Sequence, residues 1–413
     1  MIDRRSLLKL GLLAAVSPSL LSASCRKSPV VRDPSDKPLV RRHGVLGRTG
    51  LKVGDIGFGV AISTDPRLLV EAFHRGINYF DLVPFYSWSL DMLGAAFRLD
   101  AEMKRDTIVA CKLECTSMFD MMSDRPMHEV YLECIDKDLA RLGRDYVDIL
   151  QIHSVGESGE SDLDWLDPNT KLGSGVLRVF DTLKRQGKIR FTGITSHGPN
   201  LLETVMEKTI DSGHFDMMMV ALNFMQSPGL GDLLKRAEAR GIGIIAMKAL
   251  ANARHIGIQA LPDRPFSHAA LSWALAQPGV NGLVITVADE DQLDEFLGAS
   301  GRPLTLLDSA RLLHHRVATS REYCRVGCGA CSKACPEGVD IGSMLRCDQY
   351  RTDYRMPGFA KERYQGFAES RRPGACASCT TVDCRGACPF GVSIRPRLLQ
   401  AHRYLGAPEE GMA

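Results

Sequence analysis

Between Leu51 and Gly298 the chain alternates two kinds of segment, and this alternation limits the fold more than any other feature. Eight short apolar runs, rich in Val, Ile and aromatic residues, read VGDIGFGV, INYFDLV, TIVACKL, VDILQIH, RFTGITS, FDMMMVAL, GIGIIAM and NGLVITV. Each is followed by a stretch of helical periodicity, from PRLLVEAFHRG after the first to EDQLDEFLGAS after the last. Many of these helical stretches end in glycine, the usual helix stop. Short apolar strands without polar alternation are the mark of parallel strands buried on both faces. Eight strand–helix repeats in about 250 residues predict a closed (β/α)8 TIM barrel, an α/β fold whose active site lies at the C-terminal ends of its strands.

Those strand ends carry unusual residues. Asp81 follows INYF, Lys112 ends IVAC, and His153 ends VDILQI, with Tyr86 five residues beyond Asp81. A buried Asp and a buried Lys are costly unless paired, so convergence at one barrel mouth is the economical reading. The set Asp81, Tyr86, Lys112 and His153 resembles the catalytic tetrad of the aldo-keto reductases. GINYFDLVPFYSWSLDMLGAAF resembles that family's second-strand signature, and LARLGRDYVDILQIHS its fourth strand with the preceding helix. The resemblance runs from about 45 to 299. It implies that Tyr86 donates a proton to a carbonyl oxygen while hydride reaches carbon. A phenol titrates near 10 in isolation, and a neighbouring Lys112 cation would lower it. Asp81 would hold Lys112, and His153 would orient the carbonyl.

The resemblance also implies a nicotinamide across the barrel mouth, and here the sequence departs from the family. Ser196 and His197 stand where Ser with Asn or another polar residue is usual. Asn223 is kept, but Ala221 replaces a common Gln. Lys248 lies in AMKALANAR, which lacks the usual Pro and Gly-Gly. Ser196, His197, Asn223 and Lys248 are the expected cofactor-binding residues. Where the family often offers Lys or Arg to the 2′-phosphate of NADP, this chain reads TVADEDQLDEF. Asp289, Glu290 and Asp291 would repel a phosphate, which argues against NADP held in the usual manner and leaves NAD(H), a differently held NADP and a lost cofactor site open. A helix N-terminus would explain the same acids without any ligand.

Nine of the thirteen cysteines lie between Cys324 and Cys388. One group is Cys324-x3-Cys328-x2-Cys331-x3-Cys335-Pro336, the other Cys376-x2-Cys379-x4-Cys384-x3-Cys388-Pro389. Each departs by an insertion from the bacterial ferredoxin run C-x2-C-x2-C-x3-C-P. With helical sequence between them they resemble α-helical ferredoxin domains. That resemblance implies two 4Fe–4S clusters with exchanged fourth ligands: Cys324, Cys328, Cys331 and Cys388 for one, Cys376, Cys379, Cys384 and Cys335 for the other. Structural zinc, which favours paired C-x2-C knuckles, and a single cluster with a degenerate second site are the alternatives. Cys347 belongs to neither run and is expected in a core.

The N-terminus reads MIDRRSLLKLGLLAAVSPSLLSASC. The Arg4–Arg5 pair before Ser6, Leu7, Leu8 and Lys9 resembles a twin-arginine export signal, and the apolar stretch is too short and broken for a membrane span. Cys25 follows Ser24 as in a lipoprotein signal, though Ser22 stands where Leu is usual; lipidation and simple cleavage both stay open. Expected organisation is therefore signal peptide 1–25, linker 26–42, barrel 43–305, connecting helix 306–320 and helical ferredoxin-like domain 321–405. A net charge of +2 gives no reason to expect nucleic acid. The expected function is an exported, periplasmic or membrane-anchored oxidoreductase acting on a small carbonyl or alcohol. Its expected partners are the twin-arginine translocase during export and a membrane or periplasmic redox partner. The alternative is a non-catalytic electron-transfer protein that retains a degenerate barrel.

Overall fold

The computed structural model describes residues 37–407 apart from 64, 85, 86, 115–124, 158, 199, 227, 228, 252–263, 354 and 355. The eight apolar runs form β3 (Ile56–Gly59), β4 (Tyr79–Asp81), β5 (Ile108–Leu113), β6 (Val147–Ile152), β7 (Ile189–Ser196), β8 (Met217–Ala221), β9 (Gly243–Met247) and β10 (Val280–Ile285). Each pairs in parallel with its neighbour, and β10 returns to β3 with Leu283 opposite Ile56, closing the barrel. The expected TIM barrel is thus the observed one.

A strand alternates its side chains, so each barrel strand sends every second residue into the lumen. Tyr79, Ile108, Ala110, Ile149, Met217, Met219, Ile245, Met247 and Val284 fill it. Its floor is the antiparallel hairpin of β1 (His43–Val45) and β2 (Lys52–Gly54), whose neighbours Leu46 and Leu51 pack into the same cluster. Gly47 makes that plug fit. Its φ is +48°, and a Cβ there would lie 2.3 Å from the Gly243 nitrogen. The outward residues form a larger core with the surrounding helices, which include Lys171–Arg185 and Leu230–Ala239.

The expected linker ends earlier than 42. The Val40 N–H donates to Arg75 O at 2.8 Å, the Arg41 N–H to Ser300 Oγ at 2.7 Å, and Arg75 Nε to Pro38 O at 2.8 Å. Prolines and charges suggest a tether, but these backbone groups find partners on the barrel, as backbone groups at a packed surface must.

After the barrel, helix Leu306–Ala318 starts with a capping box between Thr305 and Asp308. It leads to a helical module that includes Ile341–Thr352, Pro357–Gln365 and Ile394–Leu405 around a separate core of Val339, Met344, Tyr350, Tyr364 and Leu398. Cys347 is buried in this core, as its place outside both cysteine runs suggests. The module sits against the C-terminal ends of the barrel strands. Arg363 pairs with Glu157, Ser343 Oγ donates to Glu157 O at 3.4 Å, and Asn200 bonds Asp340. Among the described residues no helix is long and apolar enough to cross a membrane.

Candidate active site

The lumen changes character at its top. Above Tyr79 on β4 comes Asp81; above Ala110 on β5 comes Lys112; above Ile149 on β6 come Gln151 and then His153, each two residues on. Register places Ala110 opposite both Asp81 and Ile149, and Lys112 opposite Gln151. Lys112 is 1% exposed and Asp81 6%, and Lys112 Nζ pairs with Asp81 Oδ1. Gln151 Nε2 donates to the same carboxylate oxygen at 3.2 Å. Gln151 is not among the residues expected from sequence, yet the alternation that points His153 inward points Gln151 inward too.

Two acid–histidine pairs ring the mouth. Glu114, two residues beyond Lys112, pairs with His153 Nδ1; Glu157 pairs with His197 Nδ1. The imidazoles meet edge to face with centroids 6.2 Å apart. Burial works against ionisation of Glu157, but the charges of His197 and Arg363 outweigh it and hold the carboxyl below its ordinary range. Burial lowers His197 to about 4, against the pull of Glu157. Lys248, just past β9 with φ +57°, lies over the Tyr350 ring at 5.3 Å from its centroid. Burial and then Arg346 lower its ammonium to about 8.

These groups open onto a cavity of about 790 Å³. On the barrel side it is lined by Asp81, Lys112, His153, His197 and Lys248 among others. On the far side Tyr350, Phe359, Arg363 and Phe367 of the helical module form the wall. The sequence suggests a separate appendage and gives no sign of this wall, because contacts between distant segments leave no local pattern.

The expected residues are thus only partly brought together. Asp81, Lys112, His153, His197 and Lys248 share the cavity, while Tyr86 lies outside the described residues. Ser196 and Asn223, expected to face a cofactor, do not line it. Ser196 is fully buried with its hydroxyl donating to Val155 O at 2.8 Å. Asn223, also fully buried, donates to Lys248 O at 3.2 Å and accepts from Met225 N at 2.9 Å. Both brace loops whose backbone groups lack strand partners. Asp289 is the N-cap of helix Glu290–Leu297 and accepts from Gln292 N at 2.8 Å, so the acidic run has a structural role in starting that helix.

The eight clustered cysteines are free thiols in the structure. Cys324, Cys328, Cys331 and Cys388 line one pocket, with Asn200, Arg325 and Phe390. In the other set Cys376 lies within electrostatic reach of Cys335, Cys379 and Cys384. Among the described residues no three His, Cys, Asp or Glu side chains are set to hold a single metal ion. Cys134 is disulfide-bonded.

Barrel, buried Asp–Lys pair and mouth histidine together define an oxidoreductase-type site, and the Aldo/keto reductase family model matches residues 59–266. The chain belongs to that family. L-galactose dehydrogenase of Arabidopsis thaliana is 32% identical over 220 residues, 50% of this chain and 64% of that enzyme, less than two thirds of its length. The uncharacterized oxidoreductase YqkF of Bacillus subtilis is 25% identical over 311 residues, 66% of this chain and 96% of its own. The aldo-keto reductase AKR11C1 from Bacillus halodurans, in its holo form, shares the fold with a TM-score of 0.52 at 22% identity, over 66% of this chain and 95% of that one. The family match ends before the first clustered cysteine.

Proposed function

We propose that this chain is an exported oxidoreductase that interconverts a small carbonyl and an alcohol in its barrel and exchanges the electrons through two 4Fe–4S clusters in its helical module. The buried Asp81–Lys112 pair, braced by Gln151 beneath the cavity that His153 lines, carries the catalytic half of this reading. A Lys cation fixed at the lumen top favours the ionised form of a nearby phenol, and Tyr86 is the phenol that the second-strand signature supplies. Tyr86 holds the proton that passes to or from the substrate oxygen. Glu114 fixes the His153 ring through Nδ1 and leaves Nε2 for that oxygen. The module wall narrows the access of water to the reacting atoms.

The thiol arrangement supports the redox half. Each set combines three cysteines of one run with the Cys-Pro cysteine of the other. The buried Nε of Arg325, whose side chain lines the first pocket, has no hydrogen-bond partner among the described residues. Thiolates around a cubane each meet a different iron, so they stand farther apart than ligands of one ion. When bound, each cluster transfers one electron, and two match the two electrons of an alcohol–carbonyl couple. The nicotinamide fit is incomplete: the cavity is roomy and His197 and Lys248 line it, but Ser196 and Asn223 are committed elsewhere. A nicotinamide held by His197 and Lys248 would supply the hydride donor or acceptor that one-electron clusters cannot, while Tyr86 handles the hydroxyl proton. Export rests on the Arg4–Arg5 motif, and the Cys134 disulfide suits an oxidising compartment.

Anaerobic titration of the full chain with NADH, NADPH, L-galactose and glyceraldehyde, followed by visible absorbance and electron paramagnetic resonance, tests the reading. The sugars are chosen because relatives named L-galactose dehydrogenase and L-glyceraldehyde 3-phosphate reductase act on such compounds. Cluster reduction by an alcohol or a nucleotide supports the coupled enzyme. Zinc without acid-labile sulfide would remove the redox half.

A further inference from the structure

The loop after β7 touches both halves of the molecule. His197 lines the barrel cavity, and Asn200, three residues on, lines the pocket of Cys324, Cys328, Cys331 and Cys388. Three residues span at most about 11 Å of backbone. Gly198 between them is pressed against the module, since a Cβ there would lie 2.9 Å from Val326 Cγ1. Asn200 bonds Asp340 and accepts from Ser332 Oγ at 3.3 Å, so the barrel loop is tied to the cysteine-bearing segment.

Arg325 occupies the same pocket from the other side. Its side chain is 1% exposed and among the largest fully buried in the protein. Nη1 donates to Tyr323 O at 2.6 Å, and the guanidinium lies over Phe390, 4.7 Å from the ring centroid. Among the described residues no carboxylate pairs with it, and Nε is unsatisfied. An unpaired guanidinium is too costly to bury without a compensating anion. The second set differs: Arg395 reaches the Cys376 and Ala377 carbonyls from a part-exposed position, and Ser378, Thr380 and Thr381 beside Cys379 are exposed.

We propose that the Cys324–Cys328–Cys331–Cys388 site is the barrel-side redox centre, and that Arg325 is a positioning residue that raises its potential by countering the charge its cluster gains on reduction. The inference rests on the two-cluster reading above. A buried cation acts through low dielectric, where its effect on a neighbouring charge is largest. The Cys335–Cys376–Cys379–Cys384 site, with its exposed rim, is the side that meets an external redox partner.

The test is a potentiometric titration of the iron-loaded full chain followed by electron paramagnetic resonance, with a Cys384→Ala variant to assign the signals. Arg325→Gln is expected to shift the reduced-to-oxidised ratio of the barrel-side cluster at least tenfold towards oxidised at fixed potential, equivalent to about 59 mV for one electron. Arg325→Lys restores most of the shift, and the other cluster keeps its midpoint. Asn200→Ala, a change made in the barrel, moves the same signal and not the other; it decides the matter if Arg325→Gln fails to take up iron. Two intact clusters with unchanged midpoints in both variants, or a shift confined to the outer cluster, would overturn this inference and leave the two-cluster reading standing. Wild-type protein without acid-labile sulfide would overturn both.

Discussion

Replacing Lys112 by Met removes the cation beneath the cavity while keeping the length of the side chain. A volume-conserving exchange costs under about 1.5 kcal/mol in packing. The larger cost is electrostatic. Asp81, 6% exposed, keeps the Gln151 Nε2 donor at 3.2 Å but loses its cation, and stranding one partner of a buried pair costs about 3–5 kcal/mol. Asp81→Asn strands the ammonium in the same way. The double variant Asp81→Asn, Lys112→Met leaves no charge, and the side-chain amide at position 81 would still accept from Gln151. Its cost should therefore fall well below the sum of the singles, with a coupling of at least about 2 kcal/mol, whereas independent sites add within about 0.5 kcal/mol. Urea unfolding of the four proteins measures each term. All three variants are also expected to lose carbonyl reduction. Additive stabilities would refute the claim that Asp81 and Lys112 act as one electrostatic unit, and an active double variant would remove the pair from the chemistry.

Tyr86→Phe should abolish carbonyl reduction while iron and sulfide contents stay at the wild-type level; undiminished turnover would remove Tyr86 as the proton donor. His197 is held down to about 4 by burial, so below its ordinary value of 6.5 the unfolded chain binds a proton that the folded one refuses. Stability should then fall as pH drops from 6.5 towards 4, and His197→Gln should flatten that part of the curve in pH-dependent unfolding. Lys248, lowered to about 8, destabilises the fold in its charged form, so Lys248→Met should raise the urea midpoint at about pH 7 more than at about pH 10. Gly94→Ala would put a Cβ 2.4 Å from Arg141 O and force helices Ser87–Leu99 and Met127–Leu142 apart; a clear loss in thermal midpoint is expected, and none would mean the helices can shift.

The barrel is legible because period and length are local properties: each of the eight apolar runs supplies one barrel strand, although Val53 and Gly54 of the first belong to hairpin strand β2, and parallel closure follows from the helices between them. Asp81, Lys112 and His153 are legible because polar residues at the ends of apolar runs are conspicuous. Gln151 is hidden inside such a run, and only strand alternation separates it from Asp148, which faces outward to Arg190 at 2.7 Å. Ser196 and Asn223 mislead for the opposite reason: their position matches, but small polar side chains serve as loop braces as readily as ligands. Glu157 and Arg363 cannot be paired by reading along the chain.

That last pair has a consequence for how the molecule is made. Arg363 follows Glu157 by 206 residues, so a ribosome finishes every barrel strand well before it delivers the guanidinium. Domains fold largely in order of synthesis. For that interval the Glu157 carboxylate at the barrel rim has His197 as a partner but not Arg363. Docking of the module adds the part-buried Arg363 ion pair to that rim. The cavity wall is thus the last part of the site to be synthesised, and a chain interrupted after its last barrel strand carries Asp81, Lys112 and His153 without that wall.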